Sequence, residues 1–136
     1  MTEHAFSPLI IKGRTLLPIV QGGMGVGVSA HRLAGAVAKE GGVGTIASVD
    51  LRHLHADLVE ESAKFTEAAD YDRLNLIALD REVKAALDIA QGHGMVSVNV
   101  MKAVDSHAAY VRQACESGAQ AITMGAGLPL DLPEMV

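Results

Sequence analysis

Leu17-Pro18-Ile19-Val20-Gln21 runs directly into Gly22-Gly23-Met24-Gly25-Val26-Gly27. A short apolar run that stops at a glycine cluster reads as a buried strand feeding a tight loop with accessible backbone. Ser29 is the expected N-cap of the next helix. In that helix Ala30, Leu33, Ala34, Val37 and Ala38 keep the i, i+3, i+4, i+7, i+8 stripe of a helix with one buried face. Gly41-Gly42 stops it as a C-cap, and Val43-Gly44-Thr45-Ile46-Ala47-Ser48 is the next strand. Pro18 and Val43 stand 25 residues apart, the length of one βα unit.

A second unit of the same length runs from Met95 to Gln120. Met95–Met101 alternates, with Val96, Val98 and Val100 on one side and Ser97, Asn99 and Met101 on the other. Asp105 or Ser106 caps a helix striped by Ala108, Val111 and Cys115, with Cys115 expected as a small buried hydrophobe. Gly118 closes that helix, and Ala121-Ile122-Thr123-Met124 leads into Gly125-Ala126-Gly127. Helix, glycine, strand, Thr and glycine loop thus recur at Lys39–Thr45 and Cys115–Thr123, a weak internal repeat.

Between the two units the spacing doubles. Asp50 is the expected cap of a helix carrying Leu51, Leu54 and Leu58, and Ala69-Asp70-Tyr71-Asp72 the expected loop. Leu79, Val83, Ala86, Leu87 and Ala90 form a further stripe, stopped by Gly92. The simplest account is a crossover helix with an inserted helical excursion. Leu132–Val136 reads as the first turn of a further helix.

Composition agrees with this pattern. The chain has 136 residues, enough for one domain. Half of it is hydrophobic (49%) and only 20% charged, which argues against a disordered chain. With 14 Gly, no Trp and only two each of Phe and Tyr, the apolar mass suits strands under small-residue helices. A net charge of -5 argues against a nucleic-acid binder, which needs clustered Lys and Arg. One cysteine excludes a disulfide framework within the chain. No apolar run reaches the ~18 residues of a membrane span. Met1-Thr2-Glu3-His4 lacks a signal-peptide pattern, so the expected location is the cytoplasm.

Alternating strands and helices imply parallel strands joined by right-handed crossovers. An open doubly wound sheet and a (β/α) barrel both fit; a complete barrel takes roughly 200–250 residues, so four strands would make only its first half. In either case ligands gather at the carboxyl ends of the strands. Asn99 stands there, opposite the valines, where its amide meets either a planar cofactor or neighbouring backbone. Gly23, Gly25 and Gly27 are spaced two apart and do not form a G-x-G-x-x-G dinucleotide fingerprint. Such a loop is either a tight turn or a place where a flat ring or phosphate approaches main-chain N–H groups. Gly125-Ala126-Gly127 repeats that opportunity. Met24, Met101 and Met124, at strand ends, are positioned to fill core or to pack on a ring. His31, His53, His55, His93 and His107 read as solvated surface residues and suggest no metal set.

Pro18-Ile19-Val20-Gln21-Gly22-Gly23-Met24-Gly25, followed by Leu33–Gly44, resembles the opening of the nitronate monooxygenase family, formerly the 2-nitropropane dioxygenases. FMN-dependent enoyl-acyl-carrier-protein reductases share that opening. Val98-Asn99-Val100-Met101 and Thr123-Met124-Gly125-Ala126-Gly127 resemble the family's third and fourth strand ends, so the likeness runs from Pro18 to the C-terminus. The resemblance implies the N-terminal half of a (β/α)8 TIM barrel: a single partial domain over residues 1–136, about four parallel strands, and an extra helical excursion between the second and third. It implies FMN as cofactor, bound by Gly22, Gly23, Met24 and Asn99. Met101, Gly125, Ala126 and Gly127 would lie on the substrate side. The implied reaction is oxidation of alkyl nitronates with dioxygen to carbonyl compounds and nitrite. The alternatives are the enoyl-reductase activity, or a non-catalytic half-barrel needing a partner chain. The family's catalytic histidine lies in the second half of its barrel, beyond the C-terminus of this chain, so no catalytic residue is assigned. The expected partners are a small-molecule substrate and either a second copy or the missing half.

Overall fold

The computed structural model describes residues 6–136; the Met1–His4 stretch considered for a leader lies outside them. A small antiparallel hairpin, β1 (Leu9–Ile11) and β2 (Arg14–Leu16), precedes a parallel sheet of β3 (Val43–Ala47), β4 (Met95–Met101) and β5 (Ala121–Gly125). The sheet order is β3-β4-β5. Helices α1 (His31–Lys39), α2 (Ala56–Ser62), α3 (Ala68–Ala90) and α4 (His107–Glu116) complete the chain, with a 3-10 turn at Leu51–Leu54 and another at Leu132–Glu134. No helix among the described residues is long and apolar enough to cross a membrane.

The expected first strand is much reduced. Leu17–Gln21 makes a single parallel bridge, Val20 to Val43, flanked by bonds from Gln21 N–H to the Val43 carbonyl and from Val43 N–H to that of Ile19. Pro18 has no N–H to donate, which limits the ladder. The Gln21 side chain continues the pairing in place of backbone: its Nε2 donates to the Thr45 carbonyl at 3.1 Å, and its Oε1 accepts from the Thr45 N–H at 2.9 Å. The sheet is therefore three strands plus a bridged edge.

The register β3–β4–β5 sets Ile46, Val98 and Ile122 side by side, with Val96 and Val100 on the same face. Ile46, Val96, Val98 and Val100 are buried against Ala34, Ala38, Leu79, Val83 and Val111 of the helices. Each large aliphatic side chain so buried contributes about 1.5–3 kcal/mol. Met124 joins this layer, so it faces helices and is not on the ligand side. On the other face, β2 supplies Leu16 to pack on Val43 and Met95, closing the amino-terminal end of the strands.

Glycine permits the close approach of the layers. A Cβ at Gly44 would stand 1.8 Å from the Ala34 carbonyl oxygen, so α1 can lie on β3 only over a bare backbone. Both βα units end their helices alike. Gly41 N–H bonds to the Ala38 carbonyl and Gly42 N–H to that of Val37; Gly118 and Ala119 repeat this on Cys115 and Ala114. Gly41 and Gly118 adopt φ of +96° and +97°, the left-handed cap of a Schellman motif.

Several local expectations change. Ala69–Asp72 is the first full turn of α3, which continues unbroken to Ala90. Asp50 adopts a left-handed conformation, and its carboxylate bonds Arg52 and Asn75 side chains, not a helix N-terminus. Cys115 is exposed, because the buried stripe of α4 is Tyr110, Val111 and Ala114. Ser29 is fully buried but caps no helix: its hydroxyl accepts from Met24 N–H at 2.7 Å and donates to the Met24 carbonyl at 3.2 Å. It ties the glycine loop into a ring instead.

Glu82 of α3 does the work expected of Ser29. One of its oxygens accepts from the His31 N–H and from His31 Nδ1, both at 2.7 Å. His55 Nε2 lies 3.0 Å from the other oxygen, within ion-pair range but not aligned for a hydrogen bond. His31 and His55 are thus partly buried partners of a buried carboxylate, not solvated surface groups. Removing the carboxylate leaves the α1 N-terminus and two imidazoles without it. Glu82→Ala is expected to lower stability by about 2–4 kcal/mol, and Glu82→Gln, which keeps an acceptor oxygen, by less. Urea midpoints of the three proteins check this; an unchanged midpoint for Glu82→Ala would remove Glu82 from this role.

Candidate functional site

The carboxyl ends of β3, β4 and β5 lie together, and the face opposite the helices carries Thr45, Ala47, Ser97, Asn99, Met101, Thr123 and Gly125. It is small and polar where the helix-side face is branched and apolar. Ser97 and Thr123 hydroxyls approach to 3.4 Å across it. Nearer the strand ends Asn99 is half-buried, and its amide has no side-chain hydrogen bond among the described residues. An amide so placed offers two donors and an acceptor to whatever lies on this face.

The glycine loop folds over the same place. A Cβ at Gly23 would come 2.7 Å from the Asn99 Cβ, so glycine is required for the loop to rest on Asn99. Nothing lies within 4 Å of where a Cβ on Gly22 or Gly125 would stand, so both leave open space. Met24 is 43% and Met101 37% exposed, both at the rim. The loop is held at three points: by Gln21 on Thr45, by the Ser29 hydroxyl on Met24, and by the Ser29 carbonyl accepting from Ala47 N–H at 3.1 Å. Gly22, Gly23 and Met24 are therefore brought to Asn99, with Gly125 two residues further along the same face.

Ala126 and Gly127 turn away at the end of β5. Ala126 is left-handed at φ +57°, and Gly127 packs so closely that a Cβ would meet Lys102 Cγ at 2.8 Å. The loop beyond carries Leu128 and Leu130, 78% and 84% exposed. It is anchored by Lys102, whose Nζ donates to both Asp131 oxygens at 2.6 Å and lies 3.1 Å from His107 Nε2. His107 Nδ1 stands 2.9 Å from the Val104 carbonyl, which can only accept. The proton therefore belongs on Nδ1, leaving Nε2 to accept from Lys102.

Sequence reading did not find this Lys102–His107–Asp131 group, nor the His31–Glu82–His55 group beside a 460 Å³ cleft lined by Leu33 and Leu54. The residues of each come from separate elements, and no spacing signals them. His107 alone carried a hint, being five residues past the strand-end Lys102. Among the described residues no set of three or more His, Cys, Asp or Glu is placed to hold a metal ion.

The Lys102 ammonium's hydrogen bonds hold the Asp131 carboxyl below the usual carboxylate range. A lowered folded-state value means the tether contributes above that range and is lost as pH falls through the lowered value. The loop after β5 should therefore stay anchored at pH 5 and release only below about 3.9, the ordinary aspartate value. Carbon-detected NMR titration of the Asp131 carboxyl tests this, with Lys102→Met expected to return the midpoint to the ordinary range. A wild-type midpoint at or above the ordinary value would show the pair is not formed in solution.

The family model for nitronate monooxygenase matches residues 7–133. No curated protein matches the chain. The match takes in the glycine loop, all three parallel strands and the Lys102–Asp131 tether, and the chain belongs to the nitronate monooxygenase family.

Proposed function

We propose that the chain is the flavin-ring half of an FMN-dependent oxidoreductase that converts alkyl nitronates and dioxygen into carbonyl compounds and nitrite. Family membership supports an oxidoreductase of the nitronate monooxygenase kind, and that family is generally flavin-dependent. The observation that carries the reading to this chain is the Asn99 amide under Gly23, at the carboxyl end of β4, with no side-chain hydrogen bond among the described residues.

The residues present suit the ring of FMN. Main chain at Gly22, Gly23 and Met24, together with the Asn99 amide, would hold it, and the open space at Gly22 and Gly125 is what a flat ring requires. When bound, FMN supplies the electron transfer; the protein contributes binding and orientation. Met101, Gly125, Ala126 and Gly127 would border the substrate, with Lys102 setting the position of the loop that carries the last two. The catalytic histidine would come from outside these four strand ends, from the second half of a (β/α)8 barrel or from a second copy. In this reading residues 1–136 are one partial barrel domain, with the bridged Leu17–Gln21 segment as its first strand.

Titration of the purified chain with FMN, followed by flavin fluorescence and by nitrite release from a nitronate, tests the proposal. Asn99→Ala is expected to weaken FMN binding about fivefold, the loss of one ordinary hydrogen bond. Unchanged affinity would make Asn99 structural. A chain that binds no FMN would lack the proposed function. NAD(P)H consumption with an enoyl thioester, in place of nitrite release, would move it to the reductase branch.

A further inference from the structure

On the helix side of β4, between the ends of β3 and β4 and helices α3 and α4, lies a cavity of about 200 Å³. It lies mainly on the opposite side of β4 from Asn99, since Val100 lines it, and at the strand end it also reaches Met101. Its floor is apolar, made by Val100 and Val104. Its polar groups are Ser48, Asp50, Asp72, Asn75 and Tyr110.

The charge of these groups is one-sided. Asp50 is paired with Arg52 and bonded by Asn75 Nδ2 at 3.3 Å. The Arg52 guanidinium is further committed to the Tyr71 ring, 4.9 Å from its centroid. Asp72 has no Lys, Arg or His partner among the described residues; it accepts only a long bond, 3.3 Å, from the Tyr110 hydroxyl. Tyr110 is 5% exposed, and burial followed by the Asp72 charge pushes its hydroxyl well above the ordinary value, so it stays neutral. Ser48 is only 3% exposed, yet its hydroxyl has no hydrogen-bond partner among the described residues. The Ser48 hydroxyl and the partly buried Asp72 carboxylate both border the cavity, so both are open to a ligand that enters it.

We propose that this cavity binds a small organic cation: a primary ammonium on a short aliphatic chain. Three acceptors, the Asp72 carboxylate, the Tyr110 oxygen and the Ser48 hydroxyl, match the three N–H donors of an ammonium. Val100 and Val104 receive the alkyl part. At the ~30 Å³ that a water occupies in the liquid, the cavity admits about six heavy atoms, which limits the ligand to the size of butylamine. An anion would meet uncompensated carboxylate, and a neutral alcohol would leave Asp72 without a counter-charge. The acceptors it uses, from Ser48, Asp72 and Tyr110, are none of the residues assigned to the flavin, so the two readings fail independently.

The test is titration of the full 136-residue chain with n-butylammonium at constant ionic strength, followed by NMR shifts of the Asn75 side-chain amide. Saturable one-to-one binding is expected, at least about tenfold tighter than that of n-butanol, the neutral isostere. Asp72→Asn should weaken it by about tenfold, Ser48→Ala by about threefold, and Asp57→Asn, an exposed carboxylate elsewhere, not at all. Butanol binding as well as butylammonium, or unchanged affinity in Asp72→Asn, would overturn the proposal. So would shifts that never saturate. The butanol comparison uses the unmodified chain, so the outcome stands even if a variant does not fold.

Discussion

Glu82 sits on α3 with its side chain 2% exposed, and the α1 N-terminus is docked onto it. A buried carboxylate is tolerated only when it is partnered, and here both hydrogen bonds come from His31, with the His55 imidazole at ion-pair distance from the other oxygen. The constraint is mutual. Moving α1 would strand the charge, and moving the Leu51–His55 turn would open it to the cleft. With α1 fixed, Ala34 lies over Gly44, which sets the height of the helix above β3. With Ser29 held just before α1, the glycine loop closes on Met24 and hands its carbonyl to Ala47. The loop over Asn99 is thus positioned through a helix cap supplied from far along the chain.

The two faces of the sheet divide the labour. Branched apolar residues meet the helices and hold the layers together, while the opposite face keeps Thr, Ser, Asn and Gly free of bulk near the strand ends. Gln21 serves both. It stands where a strand would pair with β3 but uses its side-chain amide, so the main chain is released to turn at Gly22. Lys102 does the corresponding service at the other end of the face, with Gly127 stacked on its stem and Asp131 on its ammonium.

What was legible in the sequence is what local rules govern. The Val96, Val98, Val100 alternation located β4 to the residue, and Gly41 and Gly118 marked helix ends because a left-handed cap needs no partner beyond its own helix. The nearness of Gly23 to Asn99 could be anticipated only through the family likeness. Ser29 was misread because an N-cap signature is local, whereas the acceptor that took the position belongs to α3. The polar run before Leu74 looked like a loop, but Leu74 and Ala78 are fully buried, and that packing carries the helix back through Ala69–Asp72. Asp72, Asn75 and Tyr110 gave no signal, since a cavity lined from four elements has no spacing to read.

β5 bears on how the molecule behaves in a test tube. It pairs with β4 on one side and with no strand on the other among the described residues. Its sequence, Ala-Ile-Thr-Met-Gly, has neither charge nor proline to discourage a neighbour, and the loop beyond it exposes Leu128 and Leu130. Its outward N–H and C=O groups form a template for any extended chain that meets them. The Lys102–Asp131 tether, which keeps a charged pair beside the end of that edge, is then also a guard against self-association. High concentration is the condition under which that open edge would meet a second copy.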